Sequence, residues 1–156
     1  MWDYKAIMVT LIFLFTAKGA TAAFLKFDHD RTDTTVIKIL ASKLKFDKQE
    51  FYVKAGEPVK LILSNEDVIR HNLLIVAPGS LEEVGAAADK LATTPQGRDV
   101  AWVPDMPEIL FATPLIGIGE TFVLKFTAPE KKGKYPFVCT FPQHWRMMNG
   151  IMEVIE

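Results

Sequence analysis

An all-β fold, a two-layer antiparallel sandwich with one short helical insertion, is what the sequence predicts, and three observations carry that expectation. Short runs rich in β-branched and aromatic residues recur through residues 36–155, and turn chemistry separates them. Within the runs, apolar and polar residues alternate with the period of two that a strand with one buried face requires, as where Phe122, Leu124 and Phe126 are set against Val123 and Lys125. The 156 residues give room for one domain, and 49% hydrophobic content suffices for its core.

The first element along the chain is not a strand. Lys5 in a short head, an apolar run over residues 6–17 and the small residues Ala20, Thr21 and Ala22 read as a signal peptide, residues 1–22, cleaved after Ala22. The run is shorter than the ~20 residues of a bilayer-spanning helix, so no membrane span is expected after cleavage. The expected location is periplasmic or secreted. Residues 23–35, polar from Asp28 onward, are expected to form a mobile N-terminal arm ahead of a domain at 36–156.

Strands are predicted at residues 36–40, 51–53, 59–63, 72–76, 121–126, 135–139 and 151–155. Lys54-Ala55-Gly56-Glu57-Pro58 separates the second from the third, and residues 129–133 separate the fifth from the sixth. Residues 80–92 break the pattern: Glu82 and Glu83 come early, then Val84, Ala86, Ala87, Ala88 and Leu91, with Ser80 available as N-cap. That spacing predicts a helix of roughly three turns. Residues 93–119, rich in Pro and Gly, are expected as surface loop with brief extended pieces.

Chemistry concentrates near the C-terminus. A net charge of −1 gives no basic face for nucleic acid, so no such partner is expected. Cys139 is the only cysteine, and in an exported chain a thiol without a disulfide partner is a liability or has a role. A lone Cys is ordinarily a buried, inert small hydrophobe; the neighbours argue otherwise. Residues 139–148 gather Cys139, His144, Met147 and Met148 in one loop between predicted neighbouring strands, stiffened by Pro142. Thiolate, imidazole and thioether together select copper, and two His with one Cys and a weak axial Met define a one-electron carrier. Of the three His, His144 is in this loop and His29 lies in the arm, which leaves His71 as the second imidazole.

Cys139-Thr140-Phe141-Pro142-Gln143-His144 with Met148, the His71-Asn72 pair and Leu115-Ile116-Gly117-Ile118-Gly119-Glu120 resemble azurin-like cupredoxins, over about residues 44–156 and in the same order. The resemblance implies a Greek-key β-sandwich and one type 1 copper ion cycling between Cu(I) and Cu(II). It further implies His71, Cys139 and His144 as equatorial ligands, Met148 in preference to Met147 on the axis, and Asn72 bracing the ligand loops. An electron carrier follows, with cytochromes c or periplasmic oxidoreductases as partners and Phe141, Pro142, Trp145 and Met147 as an apolar docking patch that Arg146 orients.

The chain departs from the family's pattern in four places. A single Cys makes the usual disulfide impossible; Arg70 replaces the Gly before the first His, which favours four-coordination; Gln143 replaces a loop Gly; and Trp145 follows the loop His. The runner-up function is an exported copper carrier or chaperone on the same fold. A dinuclear copper centre needs a second thiolate where Gln143 stands, and structural zinc sites rarely use Met. An enzyme built on Cys139 and His144 lacks a third member, so catalysis is not expected.

Overall fold

The structure, a computed structural model, describes residues 33–156. The signal peptide and the arm as far as residue 32 lie outside the described residues. The elements in order are β1 (Thr35–Ser42), β2 (Lys45–Phe46), β3 (Glu50–Lys54), β4 (Pro58–Asn65), β5 (Leu74–Val76), α1 (Leu81–Ala92), α2 (Pro95–Asp99), β6 (Ile109–Ala112), β7 (Thr121–Thr127), β8 (Gly133–Val138) and β9 (Asn149–Ile155). They form two sheets, ordered β2-β1-β4-β7 and β3-β9-β8-β5-β6.

Alternation explains the core. Along β4, Val59, Leu61, Leu63 and Asn65 are buried while the residues between them are partly open. Their partners from the other sheet include Phe51, Val53, Phe137, Met152 and Val154, all in one cluster. On the far side of the second sheet, Leu74, Val76 and Val138 pack with Val84 of α1 and with Trp145. Both faces of β5 and β8 are therefore covered, which is why they read as continuous apolar runs.

Two of the ladders differ from the antiparallel expectation: β1 pairs with β4 in parallel, and so does β3 with β9. Period-two alternation states which face is buried and says nothing of a neighbour's direction. Direction follows here from the chain crossing between sheets, so that β3 lies in the second sheet and β4 returns to the first beside β1. The register puts Thr35 opposite Val59 and Lys54 opposite Ile155. The start of β1 and the end of β9 thus meet at the turn joining β3 to β4. At the other end, Ala41 faces Asn65 and Val138 faces Asn149.

Smaller differences are local. Thr35, expected in the arm, is the first residue of β1. β5 starts only at Leu74, and His71 instead forms a single bridge with Ile116. β8 ends at Val138, one residue before Cys139. The stretch expected as loop contains α2 and β6, the latter antiparallel to β5. Ser80 occupies the N-cap position of α1, but its side chain makes no cap bond because φ −92° and ψ 2° are not the extended backbone that bond needs. Glu82 and Glu83 in the first turn complement the helix dipole in its place.

Candidate metal centre

Cys139 continues the alternation of β8. Phe137 faces the core between the sheets and Val138 the helix side, so the thiol returns inward. Its backbone N–H donates to the Met148 carbonyl at 2.9 Å, closing the loop at its base. His144 sits in tight turns within the loop: its N–H donates to Phe141 O at 2.9 Å, and Met147 and Met148 N–H donate to its carbonyl at 2.9 and 2.8 Å. Gln143, beside it, has φ 69°, a left-handed conformation that costs a non-glycine residue ~1–2 kcal/mol. This is the position where the sequence departs from Gly.

His71 is brought to the same end by a different route. Its N–H and carbonyl exchange bonds with Ile116 at 3.1 and 2.8 Å. The buried Asn65 amide ties the preceding turn together, donating to Ile69 O at 2.8 Å and Ile116 O at 3.1 Å and accepting from Asp67 N–H at 2.8 Å.

Together these loops place one ligand atom each from His71, Cys139 and His144 within 4.8 Å of one another. Both imidazoles turn Nδ1 to the sulfur, at 3.7 Å for His71 and 3.6 Å for His144. Bonds of ~2.0 Å to imidazole nitrogen and ~2.3 Å to thiolate sulfur, the lengths found at zinc, meeting at 120° leave nitrogen and sulfur ~3.7 Å apart. The donor set therefore fits a single first-row ion at its centre. A thiol has one proton and cannot satisfy two imidazoles as a donor, whereas a cation serves all three.

The electrostatics agree with a buried donor set. Burial pushes the Cys139 thiol up to about 12, against the backbone N–H groups of Asn72 and Phe141, which pull the other way. Burial, reinforced by His71, lowers His144 to about 4, and burial also lowers His71. Both imidazoles are thus neutral near pH 7, as a ligand must be. The thiol keeps its proton until a cation displaces it, so metal uptake releases one proton.

Around the three lies a hydrogen-bonded frame. The Asn72 side chain accepts from Thr140 N–H at 2.8 Å and donates to Thr140 Oγ1 at 2.9 Å and Ala101 O at 3.1 Å. It joins the His71 and Cys139 loops to the segment after α2, where Ala101 and Trp102 both have positive φ. Trp102 packs edge-on to Phe141 at 4.8 Å, and Phe141 lies 4.7 Å from the His144 ring. Met148 is fully buried in the core cluster that holds Cys139, while Met147 is 54% exposed.

Trp145 corrects an expectation. It is buried, not part of a docking patch: its ring lies against Gly85 of α1, where a Cβ would overlap it, and Nε1 donates to Asp89 Oδ2 at 3.1 Å. Arg146 pairs with the same oxygen at 2.9 Å and stacks 4.1 Å over the indole. Phe141, Pro142 and Met147 remain at least partly open beside His144.

Sequence reasoning missed Asp67. Its Oδ2 stands 3.4 Å from His71 Nε2 and accepts from Leu44 N–H at 2.9 Å, while Oδ1 accepts from Val68 N–H. The Leu44 bond above all, helped by the Val68 N–H and His71, holds this carboxyl below its ordinary value. In the sequence Asp67 stands in the polar run Ser64-Asn65-Glu66-Asp67, which carries no ligand motif.

Comparison with known proteins gives a consistent result. The family model for copper binding proteins, plastocyanin/azurin family, matches residues 33–155. Auracyanin-A of Chloroflexus aurantiacus is 33% identical over 114 residues, which cover 72% of this chain and 68% of that protein. Azurin-1 of Alcaligenes xylosoxydans xylosoxydans is 27% identical over 125 residues, covering 72% and 91%. The solved structure of auracyanin A, titled a "blue" copper protein, matches with a TM-score of 0.68 at 30% identity, covering 78% of this chain and 99% of that one.

Proposed function

The chain belongs to the plastocyanin/azurin family of copper-binding proteins, and on that premise we propose that it is an exported type 1 copper protein that carries single electrons between redox partners. His71, Cys139 and His144 would hold the copper ion, with Met148 as the fourth, weaker donor. The observation that carries this reading is two imidazole Nδ1 atoms at 3.6 and 3.7 Å from one buried thiol. When bound, copper supplies the one-electron Cu(I)/Cu(II) couple.

The side chains do the rest. Cys139 would release its Sγ proton to hold the ion, and the Asn72 and Phe141 backbone N–H groups are placed to donate to the resulting thiolate. His71 and Cys139 are fully buried and His144 is 5% exposed, which keeps water from the donors. Hydrogen bonds exchanged between Asn72 and Thr140, and one donated by Asn72 to Ala101, fix both loops, so the donors keep their places as the charge at their centre changes. His144, nearest the surface among Phe141, Pro142 and Met147, is the exit for the electron. Redox encounters use small, weakly bound interfaces, and that open apolar rim suits one. Cytochromes c or periplasmic oxidoreductases are the partners, and residues 1–22 direct export to the periplasm or beyond, leaving the domain that starts with β1 at Thr35 as the working part.

The test is a visible and EPR spectrum of the purified protein after addition of Cu(II) and oxidant. An intense thiolate-to-copper band with narrow copper hyperfine splitting is expected. A pale, ordinary Cu(II) spectrum sinks the electron-carrier reading and leaves a protein that delivers copper.

A further inference from the structure

We infer that Asp67 is a positioning residue for the metal centre: its carboxylate holds His71 protonated at Nε2 and bare at Nδ1, and biases the bound metal toward its oxidised state. The inference rests on the copper reading above for its second half only.

Two features of the geometry point the same way. Among the described residues, Nε2 of His71 is the one buried side-chain nitrogen or oxygen without a hydrogen bond. A buried polar group left so costs ~1–3 kcal/mol, and the carboxylate oxygen of Asp67 stands 3.4 Å away, just outside bonding geometry. Oδ2 is the acceptor that faces this nitrogen.

The carboxylate is also held independently of His71. Oδ2 takes the Leu44 N–H at 2.9 Å, Oδ1 takes the Val68 N–H at 2.9 Å, and the Asp67 N–H is bound by Asn65 Oδ1 at 2.8 Å. Leu44, at φ 57°, belongs to the left-handed turn between β1 and β2, so two loops fix where the negative charge sits. Oδ2 retains a lone pair for the imidazole.

The chemistry follows from that placement. The partner of one ring nitrogen decides which nitrogen is free to ligate, and a carboxylate behind a ligating His raises its basicity. The thiolate of Cys139 and the carboxylate of Asp67 together balance two positive charges. Loss of one electron from Cu(I) is therefore favoured relative to a site where the second negative charge is missing.

The experiment compares wild type with Asp67→Ala, which removes the acceptor facing Nε2, and with Asp67→Asn, which keeps an oxygen for the Leu44 N–H and the imidazole and removes only the charge. In the metal-free protein, long-range nitrogen–proton NMR is expected to show a single His71 Nε2–H tautomer in wild type and a mixture in Asp67→Ala, with His144 unchanged. In the copper-loaded protein at fixed potential against a mediator, the ratio of reduced to oxidised copper is expected to rise in Asp67→Asn by on the order of tenfold, or ~59 mV for a one-electron couple. An unchanged tautomer in Asp67→Ala or an unchanged ratio in Asp67→Asn overturns the proposal and leaves Asp67 as a brace for the Leu44 turn. If the loaded protein shows no intense blue band, the electron-carrier reading fails, and the metal-free spectrum alone decides the role of Asp67.

Discussion

Met147 and Met148 are adjacent, yet one is 54% exposed and the other has no exposed surface. Two tight turns on the His144 carbonyl direct Met148 inward beside Cys139. Met148→Leu is expected to keep the colour and raise the potential by about 59 mV or more, a tenfold change in the one-electron ratio, because a weak donor to Cu(II) is removed. Met147→Leu should leave the potential alone; protein-film voltammetry decides, and a shift in the Met147 variant alone would move the axis by one residue. Cys139 and His144 were legible in the sequence because they share one loop with one thiol. His71 was legible by exclusion, since a chain with three His leaves few choices. Asp67 was not, because an Asp in a turn already has an ordinary reason to be there.

At the scale of elements, α1 acts as a wall for the ligand loop. Gly85 presents bare backbone, and the Trp145 ring fills that space with Asp89 and Arg146 closing over it. Gly85→Ala gains ~1 kcal/mol of helix propensity but overpacks the contact at a cost of ~1–3 kcal/mol. The expected outcome is a net loss of about 1 kcal/mol in urea unfolding together with a changed visible spectrum, since Trp145 is bonded directly to His144. Unchanged values of both would show the wall to be passive. Helix α1 was readable from its 3.6-residue apolar spacing, and the long strands from their alternation. β2 and β6, at two and four residues, are too short to carry a period, and the parallel ladders β1–β4 and β3–β9 depend on crossovers that no local pattern encodes.

For the molecule as a whole, the site and the core are one cluster: Cys139 and Met148 pack with Phe137, Leu63 and Ile75. The metal-free protein is therefore expected to stay folded at neutral pH and to depend on pH through its imidazoles. His144 has a folded value of about 4 against an ordinary 6.5, so between those limits the unfolded chain binds more protons. Stability from this group is complete above pH 6.5 and is lost as pH falls through 4, a change on the order of 3 kcal/mol. With copper bound to Nδ1 that proton is excluded, and the loss should start at lower pH. Thermal melts of both forms at pH 7 and pH 4.5 check this; equal pH sensitivity with and without copper contradicts it.

The paired registers of Thr35 with Val59 and of Lys54 with Ile155 bring both ends of the domain to one pole. His71, Cys139 and His144 occupy the other, beyond the opposite end of β9, whose seven residues span about 20 Å at ~3.3 Å each. A linker, fusion partner or electrode surface joined ahead of Thr35 or after Ile155 consequently leaves the copper-facing pole turned outward. Immobilised by either end, the protein should still exchange electrons with partners in solution.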